Sequence, residues 1–414
     1  MLQRFWRPAR SRPSGQPLCC QFIITSMPVG GAETLLVNLL HRINPDVVRA
    51  EVICLKEPGP LGETLANEFP VHSRLIRGKW DVGVVARLAK LMRSRRTDAV
   101  VTIGAGDKMF WGRLAAFIAR VPVIASALHS TGWPDGVGRL NRLLTPITDA
   151  FIAVADSHGR FLRDFERFPA SKIRVIRNGV DCDRFQPNDD ARLQVRRELG
   201  LSADSLVVGI VAALRHEKNH QLLVRVAADL RKEFKQLHWL VIGEGPERTS
   251  IESLAKQLGV TDRVHLLGTR HDTERLVAAL DVFTLCSLNE ASPVSILEAL
   301  ACGVPVAASK VGSVPETVIE GETGWLFDSG DQQQMGESIA SLLRDPKMRS
   351  CYGDQGRFKV LETGSLEAMV RGYEALVTES FEAARVTQES RRRSTAPSNL
   401  SAGPMVKQCQ PLKR

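Results

Sequence analysis

No stretch of this 414-residue chain approaches the roughly 18 consecutive apolar residues that a membrane-spanning helix needs. An integral helical membrane protein is therefore excluded. The basic N-terminus has no apolar segment behind it, so the pattern of a secretory signal is missing as well. Nor is there a disulfide framework. The eight cysteines (Cys19, Cys20, Cys54, Cys182, Cys286, Cys302, Cys351 and Cys409) include no C-x-x-C, and several fall inside strand-like or helix-like runs, where buried free thiols sit. The expectation is a cytoplasmic protein that at most touches the inner face of the cytoplasmic membrane.

Charge of one sign is also scarcer than the net value of +9 suggests. Residues 1–18 contribute +4 without a single acid and residues 386–414 contribute +5, so residues 19–385 sum to zero. Binding to nucleic acid is not implied, and none is expected. The neutral interval is nonetheless uneven, at +7 over 19–185 and −7 over 186–385. A basic half suggests contact with something anionic, such as a membrane surface or a phosphorylated carrier. Solvated Arg-rich helix faces explain the same numbers.

What is present is a rhythm. Short β-branched runs ("QFIIT", "AEVICL", "DAVVTI", "PVIASAL", "AFIAVA", "KIRVIRN") alternate with helical periodicity, for example from Trp80 to Arg96, where Val84, Val85, Leu88, Leu91 and Met92 share a face. Six basic residues surround that stripe, which packs on the sheet or docks on anionic lipid. The polar stretch "NGVDCDRFQPNDD" at 178–190 interrupts the rhythm, which resumes with "SLVVGIVAAL", "HWLVIGEG", "RVHLLG", "VFTLCS" and "PVAAS". This is an α/β chain of two Rossmann-like units in tandem, each with a parallel sheet.

One segment is out of character. In "NEASPVSILEALACGVPVAAS" nearly every helical side chain is apolar or small, yet Glu298 stands among them. A helix apolar all round is a buried helix, and a lone carboxylate is costly to bury. Ser292 followed by Pro293 marks the helix start, with Ser292 expected as N-cap. Glu290 falls at the carboxyl end of the preceding strand, where α/β sheets bind ligands. The helix N-terminus facing the same crevice favours an anion.

The stretch "SLNEASPVSILEALACGVPVAASKVGSVPETVIEGETGWLF" resembles the E-x7-E region of the retaining GT-B glycosyltransferases of family 4, with Glu290 and Glu298 as its two acids. "ITSMPVGGAETLLVNLL" is similar to that family's first strand and Gly-rich turn, "VIRNGVDCDRFQP" to its interdomain segment, and "VIGEGPER" and "HLLGTRHD" to its nucleotide-side strands. The resemblance spans about residues 21–380. It implies a GT-B fold with an interdomain cleft: an acceptor-binding domain at 19–185, a nucleotide-sugar domain at 186–365, and a helix at 366–387 returning to the first domain. Basic tails at 1–18 and 388–414 would be disordered.

The resemblance also implies roles. Glu298 would hold the ribose hydroxyls of the donor, and Glu290 would contact the transferred sugar. Lys218 would stabilise the diphosphate leaving group, with no metal and no cofactor beyond the nucleotide diphospho-sugar. Gly30 and Gly31 would let backbone N–H groups approach phosphates. His129 would lie near the reacting carbon, and Glu244, Gly268, Ala291 and Ser292 would line the nucleotide cleft. The partners implied are a UDP- or GDP-sugar donor and a glycan or lipid-linked acceptor of polysaccharide biosynthesis.

Two positions depart from the pattern. Ala291 replaces a glycine, and Ala213 stands where the family carries a second phosphate-binding cation. Arg215, two positions on along the same face, is the candidate substitute. The missing cation leaves room for a catalytically silent, nucleotide-sensing subunit, and the fold also serves sugar-nucleotide hydrolases and 2-epimerases. "DCD" at 181–183 spells a metal motif but sits in the interdomain segment, away from a strand end. His158, His216 and His220 are expected as surface or capping residues, and Glu316 as a helix cap or ligand contact.

Overall fold

The computed structural model describes residues 15–28, 30–78, 81–104, 106–128, 141–202 and 204–395. Seven parallel strands form the first sheet: β1 (Leu18–Ile24), β2 (Val48–Cys54), β3 (Val71–His72), β4 (Ala99–Ile103), β5 (Val123–Ala127), β6 (Ala150–Ala153) and β7 (Ile173–Val175). Six more form the second: β8 (Leu206–Val211), β9 (Leu237–Ile242), β10 (Val264–Gly268), β11 (Val282–Leu285), β12 (Val306–Ser309) and β13 (Gly324–Phe327). The strands are continuous apolar runs because helices cover both faces of each sheet.

The spatial orders are β3-β2-β1-β4-β5-β6-β7 and β10-β9-β8-β11-β12-β13. In each sheet the winding reverses once, between β1 and β4 and between β8 and β11. At such a reversal the loops leaving the two strands part to opposite faces and open a crevice at the carboxyl ends. The two Rossmann-like units of the sequence are therefore present. The strands β3 and β13, of two and four residues, escape sequence reading.

The basic helix is shorter than its pattern, running Val84–Ser94. Its stripe of Val84, Leu88 and Met92 is buried against Ile23, Ile53, Val100 and Ile124 of the sheet. Its arginines are partly committed as well: Arg87 binds Asp81 and the Leu75 carbonyl, Arg93 the Ile118 carbonyl, and Arg95 pairs with Glu51 at 2.6 Å. The stripe is core.

Two chain segments cross between the sheets side by side. The Val180 amide donates to the Gly364 carbonyl and the Leu366 amide donates to the Val180 carbonyl, both at 3.0 Å, and a Cβ on Gly179 would lie 2.5 Å from the Ser365 carbonyl oxygen. Only glycine allows the two backbones to touch there. Beyond this crossing the helix Leu366–Thr395 lies across the first sheet, and Met369, Val370, Tyr373, Leu376, Val377 and Phe381 join the core beneath β1, β4 and β5. It continues to Thr395, so residues 388–395, expected as tail, are helical.

Met369 is buried in the first domain's core although it follows the second domain in sequence. Met369→Ala is expected to cost about 2–5 kcal/mol, read as a lowered denaturant midpoint for the transition of the first domain.

Candidate active site

The reversal between β8 and β11 brings two loops together, 212–219 and 286–293. They are joined by backbone and side chain alike. The Leu288 amide donates to the Glu217 carbonyl at 2.8 Å, and the buried Cys286 thiol donates to the carbonyls of Lys218 and Asn219 at 3.4 and 3.3 Å. Asn219 takes the left-handed conformation (φ 53°) that turns the chain into the helix His220–Leu230, a conformation Asn tolerates better than most residues. From the facing loop Glu290 reaches back, its Oε1 lying 2.5 Å from Lys218 Nζ and 2.7 Å from the Ser287 hydroxyl. Gly312, at φ +52°, lies so close under this loop that a Cβ would fall 1.7 Å from the Glu290 carbonyl oxygen. The structure thus places Lys218 and Glu290, 72 residues apart in sequence, in direct contact.

The helix that follows runs Val294–Ala301. Its start corrects the expectation for Ser292: Pro293 is extended, the helix begins one residue later, and no side chain caps it. The Ser292 carbonyl instead accepts a hydrogen bond from Asn178 Nδ2 of the first domain, at 3.0 Å. Glu298 lies one turn in. Every other acid held in the interior has donors: Glu51 binds Gln21, His72 and Arg95, Asp281 binds Arg192, Arg196 and the Val207 amide, and Asp98 binds the Cys19 amide. Glu298 is half-buried and, among the described residues, makes no hydrogen bond or ion pair.

Its titration follows from that setting. Burial pushes the Glu298 carboxyl up to about 7, with Arg184 pulling down and Glu274 pushing up more weakly. Arg184 cannot serve as its partner because it is already bound to Glu274 at 2.7 Å and to the His271 carbonyl at 3.0 Å. Glu51 makes the contrast. Burial raises that carboxyl too, but hydrogen bonds from His72, Arg95 and Gln21 outweigh it and hold it at about 2.

Around these groups the other candidates fall into place unequally. Ala213 and Arg215 are both exposed on either side of buried Leu214, the Arg215 amide turning back to the Ala213 carbonyl at 2.8 Å, and the Arg215 side chain makes no hydrogen bond or ion pair among the described residues. Glu244 and Gly268 lie side by side at the ends of β9 and β10, joined by the Gly243 amide donating to the Gly268 carbonyl at 2.9 Å. Glu244 is not free, since it pairs with Arg248 at 2.8 Å. Ala291 and Ser292 form the half-buried turn into the helix. In the first domain Gly30 is extended and Gly31 opens the helix Gly31–Arg42, with open space where its Cβ would be. His129 lies outside the described residues.

Several residues were missed or misplaced by sequence reasoning. Ser287 gave no signal, because one serine in a strand end is indistinguishable from any other. Glu33, in the first turn after the paired glycines, has its carboxylate beside Gly30, 2.5 Å from where a Cβ would sit. Glu316 caps a helix, but in the other domain: it accepts from the amides of Asp156 and Ser157 at 2.8 and 2.5 Å, at the start of the helix Asp156–Asp164. With Asn178, Ser292 and Leu297 it lines an interdomain cavity of about 60 Å³. His158 and His220 are buried, not surface residues. His158 Nδ1 accepts the Val154 amide, while His220, pressed toward pKa 4 by burial and by Lys218, has neither ring nitrogen bonded. Asp181 of "DCD" pairs with Arg42 at 3.1 Å and accepts the amides of Asp183 and Arg184. No cluster of three possible metal ligands occurs among the described residues.

Comparison with known proteins bears on this arrangement. The family pattern described as "Glycosyl transferases group 1" matches residues 192–358, and that described as "Glycosyltransferase Family 4" matches residues 29–184. The N-acetyl-alpha-D-glucosaminyl L-malate synthase of Bacillus anthracis is 30% identical over 320 residues, covering 76% of this chain and 82% of that protein. A GDP-mannose-dependent alpha-(1-6)-phosphatidylinositol monomannoside mannosyltransferase of Mycolicibacterium smegmatis is 29% identical over 294 residues, covering 67% and 76%. Among solved structures, Anabaena HepE in complex with UDP superimposes with a TM-score of 0.78 at 22% identity, covering 87% of this chain and all of that one. That likeness establishes a shared fold.

The Glu298 carboxyl stands at about 7 in the fold against 4.5 for an ordinary glutamate. A raised carboxyl pKa means that ionisation costs the folded state, so stability is retained below pH 4.5 and lost as pH rises through 7. Glu298→Gln removes that cost. Denaturant unfolding of the ligand-free chain is expected to show the variant more stable by about 3 kcal/mol at pH 8 and unchanged at pH 4.

Proposed function

The chain belongs to glycosyltransferase family 4 and is a glycosyltransferase; we propose that it transfers a sugar from a UDP- or GDP-sugar to a hydroxyl of a glycan or lipid-linked acceptor, with retention of anomeric configuration. The observation that carries the donor assignment is Glu298. A carboxylate held in a poorly solvated crevice at the strand reversal, with no partner of its own, is a site awaiting hydrogen-bond donors. The two vicinal hydroxyls of a ribose supply them.

The rest of the mechanism follows from position. With the ribose at Glu298, the diphosphate points toward the N-terminus of the helix Val294–Ala301, whose free amides and dipole favour it. Lys218 then stands at the bond that breaks. As the glycosidic oxygen leaves on the diphosphate, its ammonium offsets the growing negative charge, the part that a divalent cation plays elsewhere. Glu290 meets the hydroxyls of the departing sugar. Arg215, its side chain unpaired among the described residues, supplies the second cation, which removes the motive for a silent subunit. Gly30 and Gly31, at the strand reversal of the first sheet, present backbone amides from the acceptor side.

The acceptor class rests on lighter support. One relative is named for a lipid substrate and another for a malate product, so relatives span lipid and small-molecule acceptors. Assignment to polysaccharide biosynthesis follows the resemblance of the whole chain. No described helix is long and apolar enough to cross a membrane. Contact with an anionic membrane falls to charges such as Lys90 and Arg96 and to the basic chain ends, since the apolar stripe between them is buried.

Lys218→Ala is expected to lower kcat about 100- to 1000-fold with little change in nucleotide affinity, and Arg215→Ala about tenfold, measured as acceptor-dependent release of nucleoside diphosphate. Release at the same rate without acceptor would indicate a hydrolase, and inhibition by a chelator would contradict metal-free catalysis.

Ribose binding should also release the proton held by Glu298. The affinity for UDP or GDP is then expected to fall about tenfold from pH 8 to pH 6, as the carboxyl with its pKa of about 7 becomes protonated. In Glu298→Gln that step disappears, and only the titration of the nucleotide's own phosphate remains. A wild-type step that survives in the variant would remove the ribose assignment.

A further inference from the structure

Glu290 is bound unsymmetrically. Its Oε1 receives both the Lys218 ammonium and the Ser287 hydroxyl, at 2.5 and 2.7 Å. Its Oε2 receives no donor among the described residues, and it is absent from the buried atoms left unsatisfied, so it opens on the crevice. Ser287 is itself immobile. It is fully buried, its carbonyl accepts the hydroxyls of Ser309 and Ser329 at 2.7 and 3.3 Å, and the next amide, that of Leu288, is fixed to the Glu217 carbonyl. A hydroxyl held this rigidly selects one rotation of the carboxylate.

We propose that Ser287 is a positioning residue: its hydroxyl anchors Glu290 Oε1 so that Oε2 faces the sugar being transferred. The proposal rests on the donor reading above and extends it to a residue that touches neither donor nor acceptor. The physical need is clear from the contacts. An ammonium has three N–H groups and can turn from Glu290 toward a diphosphate. Without Ser287, Oε1 would then lose its only remaining donor, and the carboxylate would rotate after Lys218 and leave the sugar. With Ser287 in place the carboxylate keeps one fixed hydrogen bond while Lys218 moves. The effect belongs to the sugar half of the donor, because the ribose is held one helical turn away at Glu298.

The test compares a sugar nucleotide with its nucleoside diphosphate, using UDP-glucose with UDP and GDP-mannose with GDP, by calorimetric titration of the full chain. Ser287→Ala is expected to weaken binding of the sugar nucleotide about tenfold while binding of the bare diphosphate and the melting temperature stay unchanged. Ser287→Thr, which keeps the hydroxyl, is expected to restore the difference. In a Glu290→Ala background, Ser287→Ala should have no further effect, since the serine acts through that carboxylate. Equal weakening of both ligands with a lowered melting temperature would mean a structural role and overturn the proposal. So would undiminished sugar-nucleotide binding in Ser287→Ala. If the wild-type chain binds neither pair, the donor reading itself falls and this inference with it.

Discussion

The site is organised around one unrelieved constraint, a carboxylate in the interior of the second domain without a donor. The cost of that arrangement is visible by comparison within the same molecule. Glu51, fully buried but surrounded by three donors, is held at about 2; Glu298, half-buried with none, is pushed up to about 7. Folding alone offers no reason to keep an acid at 298, where alanine or leucine would extend the apolar helix. The reason has to arrive from outside the chain, and the topology says from where. The helix carrying Glu298 leaves the sheet at its single reversal, where the loops after β8 and β11 part.

The first domain completes the crevice, held there by polar contacts and by Val294, which packs against its core. Glu316 of the second domain caps the helix Asp156–Asp164 of the first, and Asn178 of the first holds the Ser292 carbonyl beside the catalytic loop. Both contacts end on backbone groups close to the site. The final helix, by contrast, is bound through a buried apolar face. One attachment is thus a broad buried hydrophobic face, while the others are small groups of hydrogen bonds of the kind that open and close at lower cost. A transferase that must admit a donor, exclude water and release a diphosphate needs that division of labour between a fixed strut and breakable clasps.

Much of the fold was legible because parallel strands buried on both faces announce themselves as β-branched runs, and eleven of the thirteen did so. Those that did not, β3 and β13, owe their place to neighbours already laid down, which sequence pattern does not record. The acids and Lys218 were legible from one long motif, but their contact was not: pairing across 72 residues depends on the order of strands, and nothing local to "HEKNH" or "SLNEAS" encodes it. His158 and His220 were misjudged for a related reason. At a helix start a histidine looks like an exposed cap, yet both rings are enclosed by tertiary packing. Glu316 was read as a cap for its own helix or a ligand contact, because sequence shows only local partners. Ser287 carries no signature at all, and its importance rests on a single 2.7 Å contact.

Charge balance explains why so sparse a set of cations suffices. Lys218 is paired with Glu290, Glu298 is largely protonated below pH 7, and the Arg215 side chain is unpaired among the described residues. A nucleoside diphosphate entering such a site meets one free guanidinium and the amides of a helix N-terminus, with no ionised acid at the ribose to repel its approach. On the proposed donor reading, ribose hydroxyls in place would stabilise the carboxylate, and the proton would leave. The negative charge that then develops at Glu298 is remote from the breaking bond, whereas Lys218 is adjacent to it. On that reading the lysine paired with Glu290 would be set against the leaving group as its charge grows, and Ser287 would keep Glu290 from following it. A second resident cation at position 213 would bind the diphosphate more tightly before and after transfer alike, which favours retention of the product as much as the reaction. Carrying that cation on Arg215, two residues further into the loop after β8, would loosen the hold on the product without removing the charge from the crevice.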